Sequence, residues 1–183
     1  MKISPKMLIR FALKNLFSFK EETEFNFLPG RVKRLNHHKY EKNGIEVLKL
    51  TAIYGANGSG KSNLIRSISL LKALIITGDI PSELNNQKFK LCESSSNEPV
   101  ELAIEFYVST SIYYYSVSIN DGVIIDEYFS STEKGKDEEL IFHRKVINQK
   151  TSITFFDDFE SKNENQVLKK VIETDLLKPY KPL

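Results

Sequence analysis

The chain has a single cysteine, Cys92, almost no net charge, and no long apolar run. Each shortage removes a class of explanation. A lone thiol cannot close a disulfide within the chain, so the sequence points to a reducing compartment, the cytoplasm. A formal charge of +2, from 26 basic and 24 acidic residues, offers no global attraction to nucleic acid. The first apolar stretch, Met7 to Phe19, is broken by Arg10, Lys14 and Asn15, where a secretory signal needs an unbroken core. The next, Ile68 to Ile76, falls far short of the roughly 20 residues that span a bilayer. The expectation is a soluble protein with no membrane partner. No internal repeat is visible, and no low-complexity tract beyond Ser94–Ser96. What remains is 183 residues, 40% hydrophobic and 27% charged, enough for one domain with a proper core or for a domain and a small lobe.

Period-2 alternation predicts strands over Met7–Lys14 and Glu24–Leu28, with Pro29-Gly30 as a stop. Residues 31–46 are polar and basic without a clear period, and read as an inserted loop with one short helical turn. The aliphatic segment Val47–Tyr54 predicts a strand that runs straight into a glycine-rich loop. Apolar residues at 64, 65, 68, 71, 74 and 75 then predict a helix over Asn63–Thr77, ended by Gly78. After a loop-like stretch, 78–99, an antiparallel meander is expected: Val100–Val108, Ile112–Ile119 and Val123–Phe129, with Asn120-Asp121-Gly122 as a tight turn. Leu140–Val146 and Ser152–Phe156 extend it, and Gln166–Leu177 reads as a helix.

The densest chemistry is Tyr54-Gly-Ala-Asn-Gly-Ser-Gly-Lys-Ser-Asn-Leu64. Gly55-x-x-x-x-Gly60-Lys61-Ser62 meets the phosphate-loop pattern at every position, and it has the required strand before it and helix after it. Its glycines allow the backbone to wrap around phosphate oxygens with several N–H groups turned inward. The helix that follows offers its positive end to the same anion. Lys61 is expected on the β- and γ-phosphates, and the Ser62 hydroxyl on Mg²⁺, a hard cation suited to oxygen ligands. The nucleotide-binding set is therefore Asn57, Gly58, Ser59, Gly60, Lys61, Ser62 and Asn63, with ATP and Mg²⁺ as the implied cofactors.

Asn57–Leu64 also resembles the NGSGKSNL loop of ABC-type ATPases of the SMC, RecF and OLD kind. Phe11-Ala-Leu-Lys-Asn-Leu-Phe-Ser-Phe-Lys20 is similar to their first strand, which ends in a KNF.SF phrase before an antiparallel partner. The combination, with a basic insertion before the loop and a Tyr-rich meander at Val100–Phe129 after the helix, resembles prokaryotic AAA family ATPases of the OLD and abortive-infection type. Many of these act in anti-phage systems. The resemblance covers residues 7–146. It implies an α/β chain that is the N-terminal part of an ATPase head: a P-loop NTPase (ABC-ATPase-like) lobe at about 7–78, an antiparallel β-meander lobe at about 99–158, and a C-terminal helix at about 165–177. It implies a homodimer or higher oligomer through the heads, an effector partner (a nuclease or toxin), and a role as the ATPase or sensor component of an anti-phage or DNA-processing system. By the same likeness Ser18 borders the nucleotide, with Lys14 and Asn15 as further candidates. Phe17 stands where several relatives carry a basic residue.

ATPases of this kind also need an Asp-Glu pair at the end of a buried strand and an LSxG signature. No Leu-Ser-x-Gly occurs. Val123-Ile-Ile-Asp126-Glu127 is the one candidate for the first. Read as catalytic, Asp126 would hold the Mg²⁺ shell and Glu127 would activate water, making a self-contained NTPase. Its apolar run is short, springs from a tight turn and has alternating neighbours, which favours an ordinary antiparallel strand. Hydrolysis then awaits a further C-terminal segment or a second protomer. A third possibility is a nucleotide-sensing module that does not hydrolyse. His37-His38 lacks partners at metal spacing. Arg31, Lys33, Arg34, Lys39 and Lys42 could meet nucleic acid phosphates but read as a solvated loop, and the Tyr113–Tyr115 rings read as packing. Asp157-Asp158 and Glu138-Glu139 read as charged loops.

Overall fold

Alternation of apolar and polar residues gives this chain one broad sheet with two unlike faces. The structure, a computed structural model, describes residues 6–30, 36–42, 44–147, 150–156, 163–173 and 181–182. The strands are β1 (Lys6–Lys14), β2 (Thr23–Asn26), β3 (Lys39–Lys42), β4 (Ile45–Leu48), β5 (Val100–Val108), β6 (Ser111–Asn120), β7 (Val123–Glu133), β8 (Glu138–Ile147) and β9 (Lys150–Phe155). The α-helices are α1 (Lys61–Thr77), the single turn α2 (Glu83–Asn86) and α3 (Asn163–Val171). Seven strands form one sheet in the order β2-β1-β5-β6-β7-β8-β9, and every pairing is antiparallel. The protein is thus mixed α/β with a mostly antiparallel sheet, and β3 and β4 form a separate two-stranded sheet.

Register explains the core. Phe11 stands opposite Ile104, Ile104 opposite Tyr115, Tyr115 opposite Phe129, and Phe129 opposite Phe142. One row over, Leu13, Leu102 and Val117 align in the same way. These residues build one apolar face, and α1 lies on it with Leu64, Leu70, Leu71 and Leu74 buried. Burying each such leucine stabilises the fold by roughly 1.5–3 kcal/mol, so the helix is held by its packed stripe more than by local propensity. The opposite face carries Arg10, Lys14, Glu101, Glu105, Tyr114, Asp126 and His143, with ion pairs Arg10–Glu105 at 2.7 Å and Lys14–Glu101 at 2.8 Å.

Two expectations need correction. The segment 47–54 is not one strand entering the loop: β4 ends at Leu48 and pairs antiparallel with β3, and residues 51–56 have no regular structure. Strand-forming side chains need a neighbouring strand to complete the backbone ladder, and among the described residues none flanks 50–54. Leu50 and Tyr54 are consequently 80% and 90% exposed. The described part of the expected insertion, residues 36–42 and 44–46, is also more ordered than its composition suggests. Its 3-10 turn Asn36–His38 leads into the β3–β4 hairpin, which buries Val47 against Ile9 and Tyr107. Arg31, Lys33 and Arg34 lie outside the described residues, as do Asp157, Asp158 and the expected helix beyond residue 173. No helix among the described residues is long and apolar enough to cross a membrane.

Candidate functional site

The phosphate-type loop sits where α1 begins. Gly58 and Gly60 hold φ of +81° and +95°, and Gly60 is the residue that caps the helix. A β-carbon at Gly60 would stand 2.9 Å from Ser18 Oγ and 3.3 Å from the Phe19 ring, so both backbone and space demand glycine. No side chain caps the start of α1 and no acid occupies its first turn. The positive end of a 17-residue helix is therefore left without an internal anion, which is the electrostatic condition for binding an external one.

Lys61 supplies the cation. Its ammonium donates to the carbonyls of Gly55 and Ala56, both at 2.7 Å, and to Ser59 Oγ at 3.3 Å. These acceptors hold the charge over the loop that a phosphate would enter. Asn57, Gly58, Ser59 and Ser62 are exposed along the same rim. The Ser62 hydroxyl offers one oxygen to a hard cation, and no group of three His, Cys, Asp or Glu side chains comes together among the described residues. That donor set fits a Mg²⁺ ion carried mainly by substrate phosphates and water rather than a protein cage.

The turn after β1 reaches this loop. Leu16 and Phe19 exchange backbone hydrogen bonds at 3.0 Å and place Phe17 and Ser18 at a hairpin tip. Asn63 Nδ2 donates to Ser18 Oγ at 3.1 Å, so Ser18 stands beside both Gly60 and Asn63. Lys14 and Asn15 do not reach the loop. Lys14 is bonded to Glu101 on the polar sheet face. Asn15 is fully buried; its amide donates to the carbonyls of Ser95 and Glu98, and its Oδ1 accepts from the Phe89 N–H. It is an anchor that ties the hairpin to segment 87–99.

Sequence inspection missed Arg66. It follows Asn63 by three residues, so the two share one flank of α1. Its guanidinium lies 4.9 Å from the centroid of the Phe17 ring. Phe17 itself holds φ +54°, a left-handed backbone that costs a bulky residue on the order of 1–2 kcal/mol. The signal was the helical period combined with the one position where the first-strand phrase departs from its relatives.

Asp126 and Glu127 are not brought to the loop. They lie on β7, between β6 and β8, and face opposite sides of the sheet. Asp126 is on the polar face, 3.3 Å from His143 Nε2. Glu127 is wholly buried on the other face, accepting from Tyr115 Oη at 2.8 Å and from Arg144 Nη1 at 3.2 Å. Burial and the neighbouring carboxylate push the Tyr115 phenol well above its ordinary range, so it stays a donor to Glu127. Tyr115 also lines an apolar cavity with Ile75, near the far end of α1. At 1.5 Å per residue, Ile75 is about 20 Å along the helix from Lys61. Burial lowers the Arg144 pKa, and Glu127 opposes that by stabilising its charge. The pair is a structural ion pair inside the core.

Comparison with known proteins adds one match. The family model described as "AAA domain, putative AbiEii toxin, Type IV TA system" matches residues 50–167, more than half of the chain. No curated protein and no solved structure matches it.

Proposed function

The chain belongs to this family of AAA domains, and on that premise we propose that it binds Mg·ATP through the 55–62 loop as the N-terminal part of an ABC-like ATPase head of the OLD, SMC and RecF type. Hydrolysis requires a further segment of chain or a second protomer. The observation that carries the reading is the start of α1: no side-chain cap, no acid in its first turn, glycines at positive φ, and Lys61 held over the mouth. Asn57 to Ser59 and the Gly60 N–H wrap the phosphates, Ser62 gives one oxygen to Mg²⁺, and Asn63 and Ser18 close the side. The chain's own residues bind and orient the nucleotide; the group that activates water comes from elsewhere. Glu127 is a poor candidate for that group because it is buried against Arg144.

The exposed aliphatic segment 50–54 supports completion by another strand, since Ile53 and Tyr54 leave apolar surface and a backbone with no strand partner among the described residues beside the loop. The family's toxin and abortive-infection description supports a role as the ATPase or sensor component of an anti-phage system, coupled to an effector such as a nuclease or toxin. Titration of the chain with Mg·ATP tests the core of the proposal. Binding by the wild type, weakened at least about tenfold in Lys61→Ala through loss of the charge-assisted contacts, is the expected result. Equal affinity of the two proteins would sink it. Steady turnover by this chain alone, abolished in Glu127→Gln, would instead establish a self-contained NTPase.

A further inference from the structure

A recess of about 410 Å³ opens beside the loop. Ser18 and Asn63 form its end nearest the loop, and Arg66 continues its wall along α1. Gln87, Phe89 and Leu91 line it from the segment after α2. The recess is braced before any ligand arrives: the Phe17 N–H donates to the Gln87 carbonyl at 2.7 Å, and the Phe89 N–H to the buried Asn15 at 3.2 Å. Bracing of this kind reduces what a ligand must order on binding.

Its lining fits a flat, weakly polar ring better than an anion. Arg66 is already paired over the Phe17 ring and stands 3.8 Å from the Glu83 carboxylate, which would repel a second anion. The Lys88 ammonium is committed to the Ser96 carbonyl at 2.8 Å and to Asn120 Oδ1 at 2.6 Å. What remains is the exposed Lys90 ammonium together with aromatic and planar surface next to a phosphate grip. Phe17 holds its ring there from a backbone conformation that glycine would adopt without strain, so position of the ring, rather than the hairpin turn, accounts for the residue.

We propose that this recess is the base-binding subsite of the nucleotide site and that it takes a purine stacked against the Phe17–Arg66 pair. The proposal rests on the ATP-binding reading above. A purine is favoured because stacking grows with ring area and needs no particular hydrogen-bond pattern. Neither Phe17 nor Arg66 touches the phosphates in this arrangement, so the base contribution can be separated from the grip of the loop.

The experiment compares Mg·ATP, Mg·UTP and Mg·tripolyphosphate by calorimetric titration of the wild type, Phe17→Gly and Arg66→Lys. Phe17→Gly keeps the left-handed turn and removes the ring; Arg66→Lys keeps the charge and removes the plane. The wild type should bind ATP about tenfold more tightly than UTP or tripolyphosphate, and both variants should lose most of that difference while holding tripolyphosphate within about twofold. If wild-type ATP and tripolyphosphate bind alike, or the variants weaken both alike, the subsite is overturned and the phosphate loop stands. If no ligand binds the wild type, the loop reading itself fails and the subsite with it.

Discussion

At the scale of single residues, the site is a set of positions that tolerate little. Gly60→Ala would place a β-carbon 2.9 Å from Ser18 Oγ at a φ of +95°. The expected outcome is loss of detectable ATP binding and a lower unfolding midpoint, read by calorimetry and thermal melts. Glu127 makes the opposite prediction. Glu127→Ala removes from the core the carboxylate that Arg144 Nη1 bonds at 3.2 Å, which should cost about 3–5 kcal/mol of stability. Affinity for ATP should stay within about twofold of the wild type, because the partner of Glu127, Tyr115, shares a cavity with Ile75, about 20 Å along α1 from Lys61. Denaturant unfolding and ATP titration of one variant check both halves; a stable protein with altered affinity would restore Glu127 to the site. The residues proposed to bind phosphate were legible in the sequence because glycine, lysine and serine at fixed spacing carry that chemistry locally. The different fates of Asn15, Ser18 and Glu127 were not, because each depends on partners 42 to 84 positions away or on burial across the sheet.

At the scale of elements, α1 joins the site to the core. Its buried stripe of Leu64, Leu70, Leu71 and Leu74 sets where its first turn points. Leu71→Ala should destabilise the protein by about 2–5 kcal/mol, seen as a shifted urea midpoint at unchanged slope. The strands from β5 to β8 followed from alternation, and their spans match expectation to within a few residues at their ends. The segment 47–54 did not, although its composition is as strand-like as any. Composition states a preference for extended backbone; a ladder requires a neighbour, and here β3 pairs only as far as Leu48. Amide exchange at residues 51–54 should accordingly be faster than in β5–β7 by several orders of magnitude, since those amides have no sheet partner among the described residues. Comparable protection would show that a strand pairs there.

At the scale of the whole molecule, one antiparallel sheet carries α1 on its apolar face, while the polar face holds paired charges. A head completed by a second protomer should gain mass with nucleotide. Sedimentation with and without Mg·ATP checks this, and a weight-average mass unchanged by saturating ATP would count against nucleotide-driven dimerisation of this chain. The loop 55–62, the start and end of α1 and the meander strands were determined by the sequence itself. The reason is that glycine geometry, hydrophobic period and turn chemistry act between residues a few positions apart. Only the tertiary structure decided that Ser18 meets Gly60, that Phe17 and Arg66 form one wall beside the loop, and that Glu127 is bound to Arg144 in the core. Those outcomes depend on which strands pair and on which face of the sheet a helix lands, and no local pattern encodes the distance between two segments far apart in the chain.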